Sequence, residues 1–176
     1  MAVTTASTRP GGPPEYVVIR EQDTEEFTDE DFEMELDRAL DVHAEFIVIE
    51  PRNLGDETAR WIKVGNCLHK TSVVTGFVSG VVQYMDSSRN FVIISCGVLS
   101  VFCASIYAVS WQYDPCCKYQ VEDNLPKLEK ILGSLSTVTP VVLVRRDDTR
   151  RKKLHNIIAI ISGIICAYRF YKWIKS

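Results

Sequence analysis

Residues 91–113, FVIISCGVLSVFCASIYAVSWQY, run for 23 positions without an Asp, Glu, Lys, Arg or His. A helix rises about 1.5 Å per residue, and roughly 20 apolar residues cross a hydrocarbon core. A charge-free stretch of that length in a chain of 176 residues leaves little room for a soluble fold that could bury it, and it predicts a membrane helix. Trp111 and Tyr113 end it with rings suited to the interface.

A second apolar run, residues 71–85, precedes it and is shorter. It can lengthen back to Val64 if Lys70 snorkels its amine toward headgroups. The linking residues 86–90, DSSRN, are polar and turn-forming, so the two runs read as an antiparallel hairpin with spans at about 64–85 and 91–113. A third run, residues 154–168, is apolar all round and flanked by Lys153 and Arg169. It either spans or lies in the interface.

Small residues recur every four positions in all three runs. They are Ser72, Gly76 and Gly80; Cys96, Ser100, Ala104 and Ala108; and Ala159, Gly163 and Ala167. Rows of this kind let helix backbones approach closely. Ser72, Gly76, Gly80, Ser100, Ala104, Ala159, Gly163 and Ala167 are therefore the expected packing residues, within one chain or between copies. Acidic and basic side chains are missing from mid-depth, which argues against a charged ion pathway. Thr75, Ser79 and Gln83 share one face of the first span and keep a small channel or transporter subunit as the alternative function.

Charge is segregated. Residues 1–70 hold sixteen Asp/Glu against seven Lys/Arg, and residues 114–153 hold nine Lys/Arg against six Asp/Glu. No dense basic face suggests a nucleic-acid partner. Arg150, Arg151, Lys152 and Lys153 lie just before the third run and are candidates for contact with lipid headgroups. Residues 1–14 hold no apolar core and a single Arg, Arg9, so neither a secretory signal nor an Arg-rich presequence is expected among them.

The polar part predicts a small sheet. YVVI at 16–19 and FIVI at 46–49 read as strands around a helix whose inner face is Phe32, Leu36, Ala39 and Leu40, with Thr28 and Asp31 as a weak capping box. VVLV at 141–144 is a third strand, and 125–132 a short helix ended by Gly133. Two spans return the chain to the side it left, so all three strands can share one sheet. Residues 56–70 read as a helix leading into the first span.

No GxSxG, HExxH or Walker-type loop is present, and the chain is expected not to be an enzyme, with no cofactor. The six cysteines form no disulfide framework by spacing. Cys116, Cys117, His69 and His155 compose at most an alternative metal site, and Cys116 or Cys117 an alternative lipidation site. The plainer reading is interfacial thiols and imidazoles satisfied locally, with no metal.

IVIEPRNLGDETARWIKVGNCLHKT (47–71), SWQYDPCCKYQVE (110–122) and TPVVLVRRDDTRRKKLHN (139–156) together resemble the mitochondrial transmembrane protein 11 family, the mitochondrial morphogenesis proteins. The resemblance covers the chain from about Glu33 onward. It implies a multi-pass protein that shapes mitochondria and cristae, self-associates, and works with crista-junction scaffold proteins and mitophagy receptors. It implies the inner membrane, with the outer membrane as alternative. It carries no catalytic residues. The two stretches that flank the hairpin nominate Trp61, His69, Asp114, Cys116 and Cys117 as a partner surface.

The expected fold is thus an α+β membrane protein. A transmembrane hairpin is inserted in a small βαβ-like soluble domain, followed by a C-terminal apolar helix. The expected segments are a disordered tail (1–14), a soluble βα part (15–63), the hairpin (64–113), a soluble part on the same side (114–153) and the third helix (154–173). The expected function is non-enzymatic organisation of mitochondrial membrane architecture, through helix packing, lipid contact and scaffold partners of the kind named above.

Overall fold

The computed structural model describes residues 7–8, 14–20, 29–122 and 140–175. Its elements are β1 (Ser7–Thr8), β2 (Pro14–Ile19), α1 (Asp29–Asp41), β3 (Phe46–Ile49), α2 (Arg52–Met85), α3 (Asn90–Ser110), a 3-10 turn (Pro115–Lys118), β4 (Tyr119–Val121), β5 (Val141–Arg145) and α4 (Thr149–Lys175). The expected cap at Thr28 and the expected helix at 125–132 lie outside the described residues. The chain divides into a sheet unit, Met1–Lys63 with Pro115–Arg146, and a helical unit, Val64–Asp114 with Asp147–Ser176.

The sheet has the order β1-β2-β3-β5-β4. β2 and β3 are parallel, with Val17 opposite Ile47, and α1 supplies the crossover between them. β5 is antiparallel to β3, with Leu143 opposite Ile47. The three strands read from sequence therefore share one sheet. The two edge strands were not anticipated: β4 is only three residues long, and β1 falls within the stretch expected as a tail. Such short pairings carry almost no periodic signal of their own.

Side chains alternate across the strands, as a period of two requires. Val17, Ile19, Ile47, Ile49 and Leu143 share one core with Leu36, Ala39 and Leu40 of α1 and Ile62 of α2. Val18, Val48 and Val142 form the other face and are also buried. Leu36 and Leu40 each contribute about 1.5–3 kcal/mol by leaving water. His43 closes α1 with a left-handed φ of 57° and accepts strain that glycine would not.

Tyr119 ties β4 to the end of α1. It is 1% exposed, and its hydroxyl donates to the Ala44 carbonyl at 2.8 Å. Burial pushes the phenol up to about 12 from 10.0, with the nearby Arg145 opposing. The neutral ring is therefore favoured by the fold. Its stabilising share is intact below pH 10 and is lost as pH rises through about 12. Tyr119→Phe is expected to cost about 1 kcal/mol at neutral pH and to flatten the loss of stability between pH 10 and 12, as measured by denaturant titration of the full chain.

In the helical unit, α2 is one uninterrupted helix of 34 residues. The expected leader at 56–70 and the expected span beginning at Val64 are parts of it. α3 ends at Ser110, three residues before the apolar run does. α4 begins at Thr149, so the basic run lies inside its first turns rather than in a preceding soluble segment. The reason is local. Asp147 accepts from the Thr149 amide at 3.0 Å and from its hydroxyl at 2.6 Å, which starts the helix and holds the Asp147 carboxyl below its ordinary range. Asp148 then pairs with Lys152 one turn on, at 2.7 Å. Among the described residues, two helices, α3 and α4, are long and apolar enough to cross a membrane.

Candidate functional site

The helical unit is built around a seam of small and polar residues. On α2 the buried positions advance in steps of four and three: Gly65, His69, Ser72, Gly76 and Ser79. On α3 they are Ile93, Gly97, Ser100, Ala104 and Tyr107, followed by Trp111, with Cys103 buried beside the row. On α4 they are His155, Ser162 and Arg169. Steps of four and three keep to one helix face, as in a coiled-coil seam.

The seam closes in layers. A Cβ on Gly65 would lie 2.6 Å from Cδ1 of Trp111. Next, His69 Nδ1 and His155 Nδ1 are 3.2 Å apart, and the Tyr107 ring lies 4.8 Å from that of His155. A bond between two Nδ1 atoms needs one ring to donate and the other to accept. Ser72 Oγ donates to the Ser100 carbonyl at 3.0 Å, and Ser100 Oγ donates back to the Ser72 carbonyl at 2.8 Å. A Cβ on Gly76 would lie 2.5 Å from Ile158 Cγ2, 2.6 Å from Ser100 Oγ and 2.7 Å from Ser162 Oγ, so only glycine fits where the three helices meet. Ser79 Oγ donates to the Ile93 carbonyl at 2.8 Å, and Gly97 sits against Cys166 and Ser79.

The last layer is an arginine. Arg169 is 8% exposed. Its Nε donates to Gln83 Oε1 at 2.8 Å, and Nη2 donates to Ser87 Oγ at 2.7 Å and to the Ser87 carbonyl at 2.9 Å. Nη1 donates to Asn90 Oδ1. One guanidinium thus fastens α4 to the end of α2, the loop and the start of α3. The loop is also held by Asp86, which pairs with Arg89 at 3.0 Å.

The outside of the unit has the opposite character. Phe77, Phe91, Val98, Phe102, Ile160 and Trp173 are all exposed. Apolar atoms outside and hydroxyls, imidazoles and a guanidinium inside invert the distribution of a water-soluble protein.

The residues expected to pack divide accordingly. Ser72, Gly76, Ser100 and Ala104 lie on the seam. Gly80 has open space where a Cβ would be and lines an apolar cleft of ≈ 470 Å³ with Phe77, Val81, Tyr84 and Ile161. Ala159 and Gly163 are half-buried and Ala167 is exposed; a Cβ on Gly163 would meet Val101 Cγ2 at an ordinary 3.9 Å. Sequence reasoning missed Gly97, Ser162 and Arg169 as seam residues. Thr75, Ser79 and Gln83, the stripe that suggested a channel, bond within the unit to Thr71, Ile93 and Arg169.

Among the headgroup candidates, Arg151 donates to Asn66 and Lys152 is ion-paired with Asp148, while Arg150 and Lys153 are exposed. Of the expected partner surface, Trp61 is exposed and Asp114 and Cys116 are half-buried. His69 and Cys117 are buried and do not form an outer surface: His69 is drawn in by His155, and Cys117 lies in the 3-10 turn. Trp111 is likewise buried, its ring against Gly65, while Tyr113 is exposed. Among the described residues, no group of three or more His, Cys, Asp or Glu side chains is arranged to hold a metal ion.

A family model described as mitochondrial morphogenesis regulator matches residues 15–171. The chain belongs to this family. Transmembrane protein 11, mitochondrial, of Danio rerio is 48% identical over 162 residues, covering 90% of this chain and 86% of that protein. Transmembrane protein 11-B, mitochondrial, of Xenopus laevis is 46% identical over 161 residues, covering 90% and 86%. The Homo sapiens relative, Transmembrane protein 11, mitochondrial, is 46% identical over 159 residues, covering 88% and 82%. No solved structure matches. The family description names a regulator of form rather than a catalyst, and the relatives' names place the family in mitochondria and in a membrane.

Proposed function

We propose that this member of the family crosses the mitochondrial inner membrane three times, by α2 from about Val64, α3 and α4, and organises that membrane without catalysis. The observation that carries the reading is the inverted polarity of the helical unit. Its polar seam is satisfied internally, as a bilayer requires, and its apolar faces are left for lipid. α2, unlike α3 and α4, has no stretch apolar enough to cross on its own, and its place in the membrane follows from packing on α3 and α4 through Ser72, Gly76 and Ser79.

In this reading the chain ends on opposite sides of the membrane. The cleft at Gly80 is the surface through which copies associate. Arg150 and Lys153 meet anionic headgroups, and Trp61 presents the family's partner surface to crista-junction scaffold proteins and mitophagy receptors. The membrane in question, inner or outer, is separated by protease access before and after rupture of the outer membrane.

The functional test is rescue. In cells lacking the endogenous protein, the wild-type chain is expected to restore mitochondrial shape and crista number in electron micrographs. Gly76→Leu, expressed and imported at equal level, is expected not to. Equal rescue by Gly76→Leu contradicts a role that works through helix packing.

A further inference from the structure

We propose that the end of the helical unit formed by α3 and α4 holds one anionic phospholipid, with its phosphate at Arg169 and Lys172. The inference rests on the three-span reading above.

A cavity of ≈ 440 Å³ opens there, lined by Asn90, Phe91, Ile94, Arg169, Lys172 and Trp173. Its chemistry is divided. Phe91, Ile94 and Trp173 give it an apolar wall, and Phe91 and Trp173 are 83% and 73% exposed, as side chains facing acyl chains would be. Arg169 and Lys172 give it two cations. Among the described residues, every acceptor of Arg169 is neutral: the Gln83 and Asn90 amides and the Ser87 hydroxyl and carbonyl. The one carboxylate of the neighbouring loop, Asp86, is paired with Arg89. A guanidinium withdrawn from water and held by neutral dipoles keeps its full charge, and an anion close by lowers the cost of burying it.

The start of α3 adds to this field. Asn90 and Phe91 open a helix of 21 residues with no acidic residue in its first turn and no side-chain cap. The Asn90 amide is held by the Ser88 carbonyl at 2.9 Å, and the positive end of the helix dipole lies beside the cavity that Asn90 and Phe91 line. A phosphate suits this combination of guanidinium charge, ammonium and helix start, drawn by charge rather than by a bidentate fork, since Gln83, Ser87 and Asn90 already take the guanidinium edges. The apolar wall makes the occupant a lipid rather than a free phosphate, and Trp173 sits where an indole would mark headgroup depth.

The test is native mass spectrometry of the full chain released from nanodiscs of phosphatidylcholine with a minor share of phosphatidylglycerol. The wild type is expected to retain one phosphatidylglycerol in preference to the abundant neutral lipid. Lys172→Gln is expected to reduce that retention about five-fold, the share of one basic residue near a membrane surface. Arg169→Gln is expected to reduce it further. If Arg169→Gln fails to fold, Lys172→Gln decides, since Lys172 is exposed and outside the seam.

Unchanged retention in Lys172→Gln overturns the proposal. So does loss of retention only when Arg150 and Lys153 are neutralised, or displacement of the lipid by glycerol phosphate at equal concentration. A chain that never enters nanodiscs overturns the three-span reading and this site with it. A chain that enters them without preferring phosphatidylglycerol overturns the site alone.

Discussion

Gly76→Ala is expected to destabilise the helical unit by about 1–3 kcal/mol, the usual cost of forcing atoms into a packed interior, while Gly80→Ala leaves it unchanged or slightly more stable. The two glycines belong to one GxxxG, yet their surroundings differ. A methyl at Gly76 collides with Ile158, Ser100 and Ser162 at 2.5–2.7 Å, and a methyl at Gly80 meets nothing within 4 Å. Alanine also favours the helix over glycine by about 1 kcal/mol, which works against the clash at Gly76 and unopposed at Gly80. Thermal unfolding in detergent separates the two. Equal midpoints for both variants would mean that the helices do not meet at Gly76.

The second large effect is expected at Arg169. Arg169→Leu removes the donor shared by Gln83, Ser87 and Asn90. Hydrogen bonds to a charged group are worth about 1.5–3 kcal/mol, and the loop acceptors regain some of this from solvent. A net loss of about 2–3 kcal/mol is therefore expected, concentrated at the α2–α3 loop. It is measured as faster trypsin cleavage at Arg89 with the rest of the unit intact. Arg169→Lys is not expected to rescue, because an ammonium cannot reach three acceptors with a planar fork. Wild-type cleavage rates in Arg169→Leu would show that the clamp holds nothing.

These two sites show what could be read from the residues alone. α3 was plain because a charge-free run of its length has few other fates. β2, β3 and β5 were plain from their β-branched runs, and the inward face of α1 from its 3.6-residue spacing. The seam was only half legible. Rows counted every four residues rotate by about 40° per step at 100° per residue, so Ser72 and Gly76 fall on the contact face while Gly80 has turned off it. In α4 the row Ala159, Gly163, Ala167 runs beside the true seam of His155, Ser162 and Arg169. Steps of four and three, applied to small and polar residues instead of apolar ones, would have found it.

A charge beside an apolar run ordinarily marks its end, and by that rule Arg169 reads as a flank. Its burial depends on Gln83, Ser87 and Asn90 converging from a loop and two other helices, which no local pattern encodes. The onset of α4 is hidden for a similar reason. By composition the basic run is a solvated segment, and only the bonds from Thr149 to Asp147 set a helix start ahead of it.

Whether α2, α3 and α4 all cross the membrane is decided by protease protection of tags at the two chain ends. In isolated mitochondria with the outer membrane opened, a tag before Met1 and a tag after Ser176 are expected on opposite sides of the inner membrane. A third tag between Ser87 and Ser88 is expected to share the side of the C-terminal one. Digestion of the two terminal tags together would contradict three spans.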